Sequence, residues 1–297
     1  MKNGILIFLV FIILLSCINI KTKNDIAIDF YNLGNNYLEI KDYKNAIECY
    51  NKSLEYNPKS EETIFNLILS YQYNKDYNKV EELIVKNFKK VNSEFTKKML
   101  LLLGNNYFLK KDYEKAIKAY TEYIGIYPED VTCYFNLGLT YLKLSNNKKA
   151  LDTFLEAYRR DNKHIPTIYN IGNYYYNSKD YKNSYYYFSL LEDLDKDNPD
   201  VYYRLGDLEY LIEEYEHAKM HLLKAIELDP KNTDYYILLA KVYAKGYKDR
   251  KKTLEYLEEA FINGFNDTAY LKTTEEFILL KQFNDYNKLL NKYGLNY

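Results

Sequence analysis

Residues 97–130 read KKMLLLLGNNYFLKKDYEKAIKAYTEYIGIYPED, and residues 131–164 read VTCYFNLGLTYLKLSNNKKALDTFLEAYRRDNKH. Laid one over the other, they pair Leu103-Gly104 with Leu137-Gly138, Tyr107 with Tyr141, Ala116 with Ala150 and Tyr120 with Phe154. The offset is 34 residues, and Gly104, Gly138, Gly172 and Gly206 all keep it. Gly34 precedes Gly104 by 70, which is two repeats plus two residues. Pro58, Pro128 and Pro230 each fall 24 residues after a register glycine. Pro166 and Pro199 lie near repeat junctions, so no proline breaks a predicted helix. A period of this size marks a stacked array, in which no unit buries its apolar face alone. Gly (10) and Pro (5) are too scarce for an all-β chain built on many turns.

The periodic residues resemble the tetratricopeptide pattern: a large residue at position 4, Leu-Gly at 7–8, Tyr at 11, Ala at 20, an aromatic at 24, Ala at 27 and Pro at 32. Residues 27–60 carry Phe30, Leu33, Gly34, Tyr37, Ala46, Tyr50 and Pro58, with Ser53 for Ala. Residues 165–198 carry Ile171, Gly172, Tyr175 and Phe188, with Ser184 for Ala. Residues 199–232 carry Tyr202, Leu205, Gly206, Ala218, Leu222 and Ala225, with Glu209 where Tyr is expected. Two repeats are weaker. Residues 61–94 keep Leu67 and Tyr71 but put Ile68 and Val80 at the small positions, which should splay that helix pair. Residues 233–266 keep Leu239, Ala240, Tyr243 and Ala260 with a one-residue insertion expected near Lys251.

The resemblance implies an all-α fold: a right-handed superhelical solenoid of about seven helix-turn-helix units over 27–266, with C-terminal capping helices over 267–297. The units run 27–60, 61–94, 97–130, 131–164, 165–198, 199–232 and 233–266, with two extra residues expected near Val91 to Thr96. Small residues at positions 8 and 20 let paired helices approach, and large ones fill the space between units. Asp42-Tyr43, Asp76-Tyr77, Asp112-Tyr113, Asp180-Tyr181 and Glu214-Tyr215 mark the inter-helix turns. Asp there can cap the second helix.

The first residues, MKNGILIFLVFIILLSC, combine Lys2 with an apolar run from Ile5 to Leu15. The run is too short to span a bilayer, which takes about 20 residues, and suits a signal peptide. Leu14-Leu15-Ser16-Cys17 resembles the bacterial lipobox. That resemblance implies a leader over 1–16, lipid attachment at Cys17 and a short tether over 17–26. It implies export and anchoring to the bacterial cell envelope. Ile18 in place of Asp favours the outer membrane. The other two cysteines, Cys49 and Cys133, read as isolated thiols.

Charge is balanced, with 41 basic and 42 acidic side chains, which argues against nucleic acid as a partner. No Gly-rich phosphate loop or nucleophile elbow occurs, so no enzyme and no cofactor are expected. His217 and His221 lie four apart on one helix face and are expected to be solvated rather than to bind metal.

In the family, the first helices line a concave groove. Position 5 is aromatic at Tyr31, Phe65, Phe135, Tyr169 and Tyr203. Position 6 is Asn32, Asn66, Asn136 and Asn170, then Arg204. Position 9 gives Asn35, Asn105 and Asn173, and position 12 adds Phe108, Tyr176 and Tyr210. Each amide offers one donor set and one acceptor to a peptide unit, so an Asn ladder suits an extended chain. The expected partner is a protein or extended peptide held in that groove, with the membrane reached through the lipid anchor. Two other readings remain: a scaffold using array ends or the convex face, and cell-wall glycan binding on the aromatic wall.

Overall fold

The computed structural model describes residues 21–88 and 94–295. The expected leader, Cys17 and the start of the tether lie outside the described residues. So do 91–93 of the stretch expected to hold two extra residues; Glu94 to Thr96 open a helix. The described residues are helical throughout, with no strand.

The chain divides after Ser145 into two compact units. The first holds α1 (Lys23–Glu39), α2 (Tyr43–Tyr56), α3 (Glu61–Tyr73), α4 (Tyr77–Asn87), α5 (Glu94–Leu109), α6 (Tyr113–Ile126) and α7 (Val131–Lys143). The second holds α8 (Asn147–Arg160), α9 (Ile165–Asn177), α10 (Tyr181–Leu194), α11 (Pro199–Leu211), α12 (Tyr215–Leu228), α13 (Thr233–Val242) and α14 (Arg250–Ile262). Short helices α15 (Thr268–Thr273), α16 (Glu275–Ile278) and α17 (Asn284–Lys292) follow.

One turn recurs between the two helices of a repeat. Lys41, Lys75, Lys111, Ser145, Lys179 and Glu213 all take positive φ, between 57° and 65°. The next residue caps the second helix. Asp42, Asp76, Asp112 and Asp180 each accept from the backbone N–H three residues on, and Asn146 does the same. Glu214 makes no such bond, because its longer side chain does not fold back onto that N–H.

Glycine at position 8 lets an aromatic ring lie flat on the first helix. A Cβ on Gly34 would sit 2.6 Å from the Tyr50 ring, and one on Gly104 only 2.4 Å from the Tyr120 ring. The Ser-for-Ala exchanges are paid by hydrogen bonds to facing carbonyls: Ser53 Oγ donates to Ala27 O at 2.8 Å, and Ser184 Oγ to Gly172 O at 3.0 Å.

The second repeat inverts this packing. Ile68 and Val80 replace the small residues, and Ile84 replaces the ring; all three are buried. The backbones of α3 and α4 approach less closely than those of the other repeat pairs within the two units, as the sequence implied. The seventh repeat absorbs its extra residue earlier than Lys251. A π-type turn over Tyr243–Tyr247, which spends one more residue per turn, ends at Lys248 in the left-handed region. Gly246 is obligatory there, since a Cβ would lie 2.4 Å from the Tyr215 ring.

Residues 267–295 share one core with the seventh repeat. Leu271, Phe277 and Tyr286 are fully buried against Tyr236, Leu257 and Phe261. Burying each such side chain contributes roughly 1.5–3 kcal/mol, so these short helices are held by packing rather than by helix propensity.

Candidate interaction face

Within each unit the first helices of neighbouring repeats meet, so their exposed sides form a strip in each. In the first unit, the position-9 asparagines anchor that strip. Asn35 Oδ1 accepts from the Tyr50 hydroxyl at 2.7 Å and from Asn66 Nδ2 at 3.0 Å. Asn105 Oδ1 accepts from the Tyr120 hydroxyl at 2.7 Å and from Asn136 Nδ2 at 3.1 Å. The same three residue types meet at the same spacing twice. Burial pushes the Tyr50 phenol up to about 12, so its proton stays in the bond.

The expected ladder is therefore a set of pairs. Leu69 and Leu139 hold position 9 in the second and fourth repeats and interrupt it. Within each pair, the Asn35 or Asn105 carbonyl is consumed by the fold. Nδ2–H of Asn105 and Oδ1 of Asn136 keep no partner among the described residues. Asn32, on the first helix, is exposed, with no preceding repeat described. Of the aromatics, Tyr31 tilts against Tyr50, Phe65 lies under Lys98 and Phe108 packs edge-on to Tyr113. Phe135 is half-buried.

The second unit differs at one residue type. Position 24 of the fifth repeat is Phe188, which packs edge-on against Tyr169 and has no hydroxyl to offer Asn173. Asn170 turns back to donate to Pro166 O at 2.8 Å. The slot that Asn66 and Asn136 fill elsewhere is taken by Arg204. Its guanidinium carbon lies 5.2 Å from the Tyr176 ring centre and 5.9 Å from that of Tyr203. The group is half-buried and has no ion pair among the described residues. Tyr176 donates to Asp207 Oδ2 at 2.5 Å, which spends that carboxylate on a phenol and fixes the ring. Tyr203 tilts against Tyr235 with centroids 5.2 Å apart.

Tyr210, expected on the same wall, is not available. It is 5 % exposed, its hydroxyl donates to Glu276 of α16, and Lys241 Nζ lies 4.8 Å above its ring. Lys241 is 3.9 Å from the same carboxylate, and burial pushes its ammonium below the ordinary value. The residues after 267 thus cover the strip at the last repeats, a packing no periodicity announced.

His221 also departs from expectation. His217 is solvated, but His221 points inward, with its side chain 15 % exposed. Nδ1 lies 2.7 Å from Glu209 Oε2, and Nε2 lies 3.5 Å from Glu192 Oε1. Burial opposes the imidazolium, but the Glu209 hydrogen bond and the field of both carboxylates outweigh it and hold His221 above 6.5. The reason is Glu209 itself: buried where the pattern puts Tyr, it demands a cationic partner.

Stacked helix pairs with an open polar strip define a helical-repeat interaction scaffold. Family models described as "Tetratricopeptide repeat" or "TPR repeat" match residues 27–60, 104–145, 131–164 and 199–232. Repeats of this family mediate protein–protein and peptide interactions and are not catalytic as a fold. The chain is 32% identical over 110 residues to BBSome complex member BBS4 of Bos taurus, covering 37% of this chain and 21% of that protein. It is 33% identical over 125 residues to Heat shock protein STI1 of Saccharomyces cerevisiae, covering 42% and 20%. The chain thus spans about a fifth of the length of these relatives. A solved C-terminal part of a TPR repeat-containing protein from Cytophaga hutchinsonii shares the fold, with 19% identity, a TM-score of 0.66, and 84% and 98% of the two chains covered.

Proposed function

We propose that this protein is an envelope lipoprotein whose first-helix strip holds an extended peptide or a segment of a partner protein. The observation that carries the reading is Arg204: a half-buried cation bracketed by two tyrosine rings, with no carboxylate of its own. Guanidinium on aromatic faces is pre-organised for a carboxylate, because the rings fix its plane and exclude water around it. Asn173 holds, one repeat back, the register position that pairs with the position of Arg204. The bound segment therefore carries an acidic group at this point. The anchor reading rests on residues 14–17 and on the apolar run from Ile5 to Leu15 behind Lys2.

Two titrations test this. Fluorescent peptides differing only in Asp/Glu versus Asn/Gln are titrated against the protein and its Arg204→Gln variant. The acidic peptides bind more tightly, the variant loses about tenfold, and added salt narrows the gap. Equal binding of both sets refutes the strip as the site. Cys17→Ser moves the protein from the membrane fraction to the soluble one if Cys17 is lipidated.

A second reading has its own observation. Tyr186, Met220 and Leu223 on α10 and α12 are 51%, 55% and 40% exposed. Tyr186 meets Tyr187 edge-on at 5.1 Å, and Tyr187 stacks on Tyr175 at 5.7 Å. Such a second-helix surface suits a scaffold role or ring stacking on a glycan. Tyr186→Ala with Met220→Ser separates it from the strip, since those changes leave peptide titrations unaltered.

A further inference from the structure

Position 12 of the first helices carries Leu38, Phe108, Leu142, Tyr176 and Tyr210, and in the second repeat alone it carries a polar residue, Gln72. Gln72 is only 8% exposed, and its Nε2 is sealed from solvent with no hydrogen-bond partner. Beside it the strip opens into a cavity of about 260 Å³, whose lining includes Gln72, Asn105, Phe108, Tyr120, Asn136 and Leu139. At roughly 30 Å³ per water, it exceeds what one or two bridging waters fill.

The lining has a definite chemistry. No charged side chain contributes to it. Phe108 and Leu139 offer apolar walls. Asn105 has spent its carbonyl on Tyr120 and Asn136, and so presents N–H. Asn136 has spent an N–H and so presents its carbonyl oxygen. Gln72 holds an unpartnered N–H donor, which a rotation of its terminal amide brings to the cavity. Two donors and one acceptor between apolar walls are complementary to a planar, neutral group with a carbonyl oxygen and N–H protons side by side.

We propose that this cavity is a side-chain pocket that selects a neutral carboxamide, the Gln or Asn of a bound peptide. The proposal rests on the strip being a peptide site and adds which residue it reads in the first unit. A carboxylate has no proton for Asn136 and no cation to meet. A Leu of similar volume leaves Gln72 and Asn105 unpartnered.

The probe is a set of short fluorescein-labelled peptides that share one fixed acidic residue and are identical except for one guest at another position: Gln, Asn, Glu or Leu. They are titrated against the full chain and against Gln72→Leu and Gln72→Asn. Gln and Asn guests bind about fivefold or more tighter than Glu and Leu. Gln72→Leu erases that preference while its thermal unfolding is unchanged or higher, because an orphaned buried amide is gone. Gln72→Asn keeps part of the preference. If all guests bind alike to the natural chain, the cavity holds water or main chain, and the pocket fails while the strip stands. If no peptide binds, the strip and the pocket fall together. A preference that survives Gln72→Leu also overturns the pocket.

Discussion

The first-helix strip is built differently in the two units. In the first, Tyr50 and Tyr120 reach the position-9 asparagines and tie each to the next repeat's Asn. In the second, Phe188 stands at the same place, Asn173 stays untied, and Arg204 replaces the next Asn. One hydroxyl decides whether the amide serves the fold or a ligand. The first unit reads as a strip whose position-9 carbonyls are tied into the fold, with a cavity beside Gln72, and the second as a strip left short of a partner charge.

The comparison can be broken most severely at the ring itself. Tyr120→Ala removes a buried ring that both fills the Gly104 face and holds Asn105. It should cost about 3–5 kcal/mol in urea unfolding, in the range for deleting a buried aromatic. A cost under about 1 kcal/mol denies the ring its place.

His221→Leu comes next. It leaves Glu209 buried without its cation and should cost about 3 kcal/mol at pH 6. The sign with pH follows from the raised folded value. The His221 contribution is fully present below 6.5 and is lost as pH rises through that higher value. The natural chain should therefore lose stability on going from pH 6 to alkaline conditions, and the variant should lose less. Parallel profiles for the two proteins contradict the pairing.

The hydroxyl can then be moved. Tyr120→Phe should cost about 1 kcal/mol and loosen Asn105, whereas Phe188→Tyr should supply Asn173 with a donor and weaken peptide binding by a few-fold, at little cost in stability. If Phe188→Tyr leaves binding unchanged, Asn173 takes no part. The smallest expected effect is a gain. Glu214→Asp restores the cap present in the other repeats and should stabilise by about 0.5–1 kcal/mol, read as a higher unfolding midpoint.

Much of the architecture was legible because glycine and alanine at fixed spacing have a single steric meaning. A ring sits on Gly34, Gly104 and Gly172, so the period reports helix pairing directly. The N-caps at Asp42 to Asp180 were equally readable, since a short acid before a helix has a local job. Residues whose role depends on contacts across many positions were not. Tyr210 looks like any other position-12 ring until Glu276 arrives from 66 residues away. His221 looked solvated because its partners, Glu209 and Glu192, sit on two other helices. The one available hint was Glu209 itself, an acid at a position of packing. The Asn row was visible, but residue type alone does not tell which lone pairs the fold consumes.

The claim on which the rest depends is that the first-helix side takes the partner. A photo-crosslinking amino acid placed in cells at Asn173, on that side, and at Met220, on α12, tests it directly. The account predicts a crosslinked partner at Asn173 that disappears with Arg204→Gln, and none at Met220. Crosslinks at Met220 alone, unaffected by Arg204→Gln, contradict it.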